Sequence, residues 1–550
     1  MVIEHVQPEI NQGQFPIKRI IGEKVTVTAD IFADGHDQIK ANLLFRQKNE
    51  QKWQKSAMTF LVNDFWQGKF TVSELVPYEY TLEAWVDPLA TWWMDIQKKI
   101  TTHDNIIIDL KSGLAYLIQF AEQLKESKQR KEIEHIIAMI EKNESQDQIV
   151  KTLQKQLNSS LLQKYPIRNH SIQYHPILEI TVDRPRAGFS AWYEMFPRSC
   201  SSQPGRHGTF FDCMNLIPEI AQRGFDVLYF PPIHPIGYAH RKGKNNAIKA
   251  QANDPGSPWA IGNENGGHMA IHPELGTLAD FQALIKKARE YKLEIALDLA
   301  LQCSPDHPYV REHPEWFKWR IDGTIQYAEN PPKKYEDIVP IHFETEHWSS
   351  LWEEIRKIVF FWIDQGIRIF RVDNPHTKPF TFWEWLIGRV KKQYPEVIFL
   401  AEAFTRPKIM YRLAKSGFTQ SYTYFTWRNT KQELTEYLKE LTQTEVKEYF
   451  RPNFWPNTPD ILNEYLQFGG RPAFLIRLIL AATLSSNYGI YGPPFERFLN
   501  QPAPGKEEYI DSEKYEIKNW SSQEIRESTL ELITKINLIR KKNPVFHIKR

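Results

Sequence analysis

GIRIFRVDN (366–374), followed one repeat later by VIFLAEAF (397–404), is the stretch that decides the fold. Each segment is a short run of apolar and β-branched residues ending on an acid, Asp373 and Glu402. The intervening residues 380–393 carry helical spacing, so the pattern is strand, helix, strand. Working outward, the same alternation gives eight candidate strands at 189–196, 227–230, 294–299, 367–372, 397–401, 421–425, 449–454 and 488–491. Candidate helices lie at 275–291, 348–364, 380–393, 430–441, 472–484 and 528–541. Alternating strands and helices imply a parallel sheet, and eight such units predict a (β/α)8 TIM barrel. Two connections, 231–274 and 300–346, are too long for simple loops. Both follow the C-terminal end of a strand, where this fold places its chemistry, and so are read as substrate-shaping insertions.

At 550 residues the chain is long enough for two to four packed units. Residues 19–110 alternate apolar and polar positions, as at Val25, Val27, Ala29 and Ile31, with turn signals at Asp34-Gly35 and Gln67-Gly68. That is the pattern of a β-sandwich. From Ser112 to Tyr165 the period lengthens: Leu114, Leu117, Ile118, Ala121 and Leu124, then Ile133, Ile136, Ile137 and Ile140, fall on helical stripes. The expected plan is a β-sandwich over 1–111, a helical module over 112–183 and the barrel over 184–550. The helical stripe packs either within the chain or against a second subunit.

Composition excludes several classes of function. With 69 basic and 67 acidic residues the net charge is +2, so no global field gathers nucleic acid or an anionic membrane. The single basic run HRKGKNN (240–246) does not alter that. Cys200, Cys213 and Cys303 form no CxxC pair, which predicts neither disulfides nor a zinc knuckle and fits a reducing cytoplasm. The N-terminus lacks an export pattern, and the most apolar segment, FLIRLILAATL (474–484), is interrupted by Arg477; no membrane association is expected. The 17 Trp, 23 Tyr and 32 Phe supply many flat apolar faces, on which sugars stack.

In a parallel barrel, polar residues at the C-terminal strand tips share one cleft. Asp373, Glu402 and Asp460, the last in NFWPNTPD (453–460), qualify. Asp373 and Glu402 belong to adjacent strands, and retaining glycosidases need two carboxyls about 5 Å apart, one attacking the anomeric carbon and one moving the proton. Arg371 shares a strand face with Asp373 and would hold it ionised, while a less charged setting would raise Glu402. His376 and Lys378 have no partner acids at ligand spacing, so neither metal nor organic cofactor is expected.

FRVDN, AEAF, NTPD and DLALQCSPDHP (298–308) resemble the catalytic regions of the α-amylase superfamily. More narrowly, RAGFSAWYEMFPRS (186–199), PWAIG (258–262), GGHMAIHPELGT (266–277), AENPPKKYEDI (328–338), SYTYFTWRNTKQELTEYL (421–438) and PNTPDIL (456–462) resemble the α-1,4-glucan:maltose-1-phosphate maltosyltransferase family. Cys303-Ser304 and Pro459-Asp460 stand where ordinary amylases show Asn-His and His-Asp pairs. The resemblance implies a retaining transfer of maltosyl units from maltose 1-phosphate to α-1,4-glucan ends. Asp373 is then the nucleophile, Glu402 the general acid/base, and Asp460 a partner of the sugar hydroxyls. It further implies phosphate binding by Asn330, Lys333, Tyr335 and Asn374, sugar binding by Lys242, Asn246, Gln302, Arg371 and Lys514, and a homodimer. Trp259 and Trp427 are candidate acceptor subsites. In the family a C-terminal β-sandwich is expected after the point where this sequence reads NPVFHIKR (543–550). A hydrolase or another transglycosylase of the superfamily, and a non-catalytic glycan-binding scaffold, are the alternative readings.

Overall fold

The computed structural model describes all residues except 103–104, 126, 158, 332, 521–526 and 548–550. The chain divides into two compact units, Met1–Val182 and Asp183–Arg550.

The first unit holds two antiparallel sheets. One has the order Val2–Gln7, Lys24–Phe32, Phe65–Thr71, Thr59–Val62. The other runs Ile17–Ile20, Leu178–Asp183, Tyr78–Val86, Ile39–Gln47, Gln54–Ala57, with Asn169–Gln173 also pairing with Tyr78–Val86. The alternation read from sequence is realised: Val25, Val27, Ala29 and Ile31 all point inward and are buried. The expected boundaries at 111 and 112 are corrected. Helix Pro88–Thr101, capped by Asp87 and begun with proline, starts well before 112, and two strands of the second sheet come from beyond Tyr165. The helices are therefore inserted into the sandwich. Their stripe is buried within the chain itself, with Leu117, Phe120, Ile133, Ile136 and Ile140 in one apolar cluster with Trp92 and Trp93. Of the predicted stripe, Ile118 stays 45% exposed.

The second unit is the barrel. Its strands are β1 (Ser190–Glu194), β2 (Val227–Phe230), β3 (Glu294–Leu299), β4 (Ile369–Asp373), β5 (Ile398–Glu402), β6 (Gln420–Ser421), β7 (Asn453–Phe454) and β8 (Asn487–Tyr491). They form one sheet in the order β6-β5-β4-β3-β2-β1-β8-β7. A parallel bridge from Ser421 to Pro452, with the Ser421 N–H donating to the Arg451 carbonyl at 3.0 Å, closes it. Helices Phe210–Gln222, Leu278–Glu290 and Lys431–Gln443 each begin with a capping box, in which the side chains of Thr209 and Asp212, Thr277 and Asp280, and Thr430 and Glu433 satisfy first-turn N–H groups.

Two strands are shorter than expected. Residues 424–427 form a 3-10 turn, not the end of β6, because buried Arg477 claims the carbonyls of Phe425 and Arg428, the latter at 2.7 Å. Before β7, Val446–Tyr449 is a helical turn. The helix expected at 472–484 begins at Glu464 and is broken at Gly470, whose φ of +54° suits a glycine. At the N-terminal mouth the charges form ion pairs among themselves, such as Arg186 with Asp226 and Arg184 with Glu294, both at 2.8 Å. Those at the C-terminal mouth behave differently.

Candidate active site

Asp373 and Glu402 are direct register partners at the ends of β4 and β5. Both are buried, and the parallel ladder turns both side chains toward the same barrel mouth. Arg371, two residues back on the same face, donates from Nη1 to Asp373 Oδ1 and to Asp298 Oδ2, each at 2.9 Å, and its Nη2 stands 3.7 Å from Glu402 Oε1. Tyr229 at the tip of β2 donates to the same Asp298 oxygen at 2.5 Å. After β4 the chain turns through Asn374, which adopts a left-handed conformation (φ +42°, ψ +52°), one that asparagine tolerates better than most residues. That turn aims the Asn374 N–H at Glu402 Oε2, 3.2 Å away, while its side-chain amide reaches Asp373 Oδ2 at 3.4 Å.

One guanidinium thus serves Asp298, Asp373 and Glu402, and buried Glu194 at the tip of β1 lies in the same field. A single guanidinium does not offset the burial of every carboxyl around it, and desolvation favours the protonated form. Burial pushes the Glu402 carboxyl up to about 8, against the pull of Arg371 and with the help of Asp373 and Asp460. Burial likewise lifts Asp298 to about 7 and Glu194 well above the usual carboxylate range. At Glu402 desolvation is the first cause of the rise, ahead of the neighbouring charges.

Asp460 is half-exposed and pairs with Lys514, whose amine burial would destabilise but Asp460 holds charged. The insertion after β2 contributes buried Lys242, and Asn246, whose side-chain oxygen is buried without a partner. Gln302, just after β3, donates to the Trp259 carbonyl at 3.4 Å. The segment AENPPKKYEDI forms a hairpin, Ala328–Asn330 against Lys333–Tyr335, in which Asn330 faces Lys333 across the ladder. Side chains of Asn330 and Lys333 lie outside the described ones; Tyr335 is half-buried. Burial pushes the neighbouring Asp337 upward against the opposing fields of Lys242 and Lys514.

Some assignments change. Trp259 is only 6% exposed and lies beside Lys514, so it serves the inner wall and offers no open acceptor platform. Trp427 is half-buried, its indole N–H donating to Glu507 at 3.0 Å. Lys378, set aside in the sequence, donates from Nζ to the Asn374 carbonyl at 3.3 Å, and burial lowers its amine against the opposing pull of Asp373 and Glu402. Glu194 was also missed, and an acid inside WYEMFP carries no local signal of its position beneath the cleft.

Beside His376 and Lys378 the sequence offers no His/Asp/Glu cluster at ligand spacing, yet the fold assembles two histidine clusters elsewhere, His268/Cys303/His307 and His207/His272/Glu274. In the first, the Tyr309 N–H donates to His307 Nδ1 at 3.0 Å, His307 Nε2 lies 3.1 Å from His268 Nδ1, and His268 Nε2 lies 2.9 Å from the Ala300 carbonyl. One neutral tautomer of each ring satisfies all three contacts and commits every ring nitrogen. In the second, burial first and then Arg198 with its neighbouring arginines lower both imidazoles, with Glu274 pulling His207 the other way.

Residues 1–184 match the profile of α-1,4-glucan:maltose-1-phosphate maltosyltransferase, domain N/S. A relative of that name from Chlorobaculum tepidum is 53% identical over 544 residues, covering 99% of this chain and 81% of its own length. One from Methylacidiphilum infernorum is 51% identical over 550 residues, with coverage of 99% and 81%. Among solved structures, an α-amylase from Lactobacillus plantarum superposes with a TM-score of 0.52 at 22% identity over 66% of this chain and 83% of that one. A cyclomaltodextrinase gives 0.55 at 13% identity over 98% and 85%. At such identities these likenesses concern the fold alone.

Proposed function

The chain belongs to the α-1,4-glucan:maltose-1-phosphate maltosyltransferase family, and on that premise we propose how its barrel moves a maltosyl unit from α-maltose 1-phosphate to the non-reducing end of an α-1,4-glucan. Asp373, held by Arg371, attacks C1 of the donor from the face opposite the phosphate. The C1–O bond to phosphate breaks as a β-maltosyl ester forms on Asp373, and Glu402 gives its proton to the departing phosphate oxygen. Glu402, now a carboxylate, takes the proton from the 4-hydroxyl of the acceptor as that oxygen displaces Asp373. Two inversions leave the α configuration.

The observation that carries this reading is the buried Asp373–Glu402 register pair bridged by one arginine, with burial raising the Glu402 carboxyl. Phosphate binds at Asn330, Lys333, Tyr335 and Asn374; the sugars bind at Lys242, Asn246, Gln302, Arg371, Asp460 and Lys514. The two negative charges on the donor, which the Asp373 carboxylate alone would repel, find cations there. Incubation with maltose 1-phosphate and glycogen should release inorganic phosphate in step with lengthening of the glucan. Free maltose without glucan extension would identify a hydrolase instead.

The finer assignments are proposals as well: a cytoplasmic homodimer that associates through the first unit. The edge strand Thr59–Val62, with Phe60 51% and Val62 68% exposed, supplies an unpaired rim suited to such contact. Light scattering on the purified chain should give twice the mass of 64.8 kDa; a monomer at micromolar concentration removes the proposal. No helix among the described residues is long and apolar enough to cross a membrane.

A further inference from the structure

Lys514 sits in an irregular stretch between helix Gly492–Glu496 and Trp520, with no ladder to fix its backbone. Its position is set instead by contacts on both sides. Arg198, on the 3-10 turn directly after β1, is 4% exposed and donates from Nη1 to the Gly256 carbonyl at 2.9 Å and from Nη2 to the Glu513 carbonyl at 2.5 Å. The Glu513 side chain, itself 1% exposed, accepts from the hydroxyl of Tyr491 at the tip of β8 and from the Trp520 indole N–H at 2.8 Å. One guanidinium fork therefore ties the insertion after β2 to the residue next to Lys514, and the next side chain ties that residue to the barrel.

The chemistry of Arg198 is hard to explain otherwise. Among the described residues no carboxylate lies within salt-bridge distance of it, and its Nε is buried without a partner. Burial lowers its affinity for the proton to about 10. A buried cation whose partners are backbone carbonyls is costly as a stabilising device, and an apolar residue would fill the space at less cost. What it uniquely supplies is a rigid two-point geometry.

We infer that Arg198 and Glu513 form a buried clamp that positions Lys514, and through it sets how tightly the enzyme holds the donor's sugar, without taking part in bond making. This rests on the reading of Lys514 as a donor-sugar ligand. The clamp constrains binding and leaves the Asp373–Glu402 pair untouched, so loosening it changes donor KM and spares kcat.

The test is steady-state phosphate release from maltose 1-phosphate at saturating glycogen for R198Q, E513A and E513Q, each alone and combined with K514A, with thermal unfolding followed alongside. R198Q and E513A should raise donor KM about tenfold or more, with kcat within about threefold and glycogen KM unchanged. E513Q should stay within about twofold, because the amide still accepts from Trp520 and pairs with Tyr491. On the K514A background, R198Q should raise donor KM no further; full additivity would place its effect elsewhere and overturn the inference. Donor KM within twofold of wild type in folded R198Q would do the same. Should R198Q not fold, W520F takes its place, with a rise of about threefold that vanishes on the K514A background; no rise refutes the clamp. If the wild type releases no phosphate, it is the functional reading that fails. Maltose titrated calorimetrically into the same variants then decides the clamp, equal affinities counting against it.

Discussion

D373N is expected to lower kcat by at least about 10^4-fold, the order of loss seen when a nucleophile is removed from a catalytic group that acts as a unit. Asparagine keeps the shape of the side chain and one oxygen for Arg371, so folding and donor binding should persist. The loss is specific to the first chemical step. Mass spectrometry of quenched wild type should find a maltosyl mass on the peptide containing Asp373, and none in D373N. A residual rate above about one per cent of wild type, measured with enzyme free of contaminating wild type, would remove Asp373 from its role.

E402Q should lower kcat by about 10^2 to 10^4, the range for a positioned acid/base. The wild type must hold Glu402 protonated to begin the cycle, so kcat/KM should fall as pH rises through about 8. In E402Q that alkaline limb should disappear. Stability carries the opposite sign of interest. The carboxyl binds its proton more tightly folded, at about 8, than its ordinary value of 4.5. Its contribution to stability is therefore full below about 4.5 and lost as pH rises to about 8. A neutral glutamine escapes that loss, and E402Q should melt a few degrees above wild type at pH 8.5. A variant that melts lower at that pH, or keeps the alkaline limb, contradicts the assignment of this proton.

Much of the barrel was legible because β2, β3, β4 and β5 are mostly apolar and almost wholly buried, with charges few and mainly near the strand ends, and their helices have clean apolar stripes. β6 and β7 are two-residue strands, and in the turn that follows β6 the Phe425 and Arg428 carbonyls are claimed by Arg477, distant in sequence. No local pattern holds that information. The sandwich boundary failed for a related reason: strands Asn169–Gln173 and Leu178–Asp183 find partners ninety or so residues back, and pairing across an insertion leaves no periodic trace. At the site, strand-end position pointed to Asp373, Glu402 and Asp460. Glu194 and Lys378 gain their meaning only from the burial and charges around them. The proposed sugar and phosphate ligands came from family motifs, and spacing alone would not have singled out Lys242 or Lys514.

The helices inserted in the sandwich leave and re-enter it at one place, since Val86 lies directly across the ladder from Asn169. Everything from 87 to 168 is thus a detour whose two ends are neighbours, the geometry in which natural domains are gained and lost. A short turn joining those ends would restore a continuous hairpin from Tyr78–Val86 to Asn169–Gln173. In evolutionary terms the helical segment is a removable cassette: relatives could enlarge, trim or replace it while the β-scaffold keeps its register.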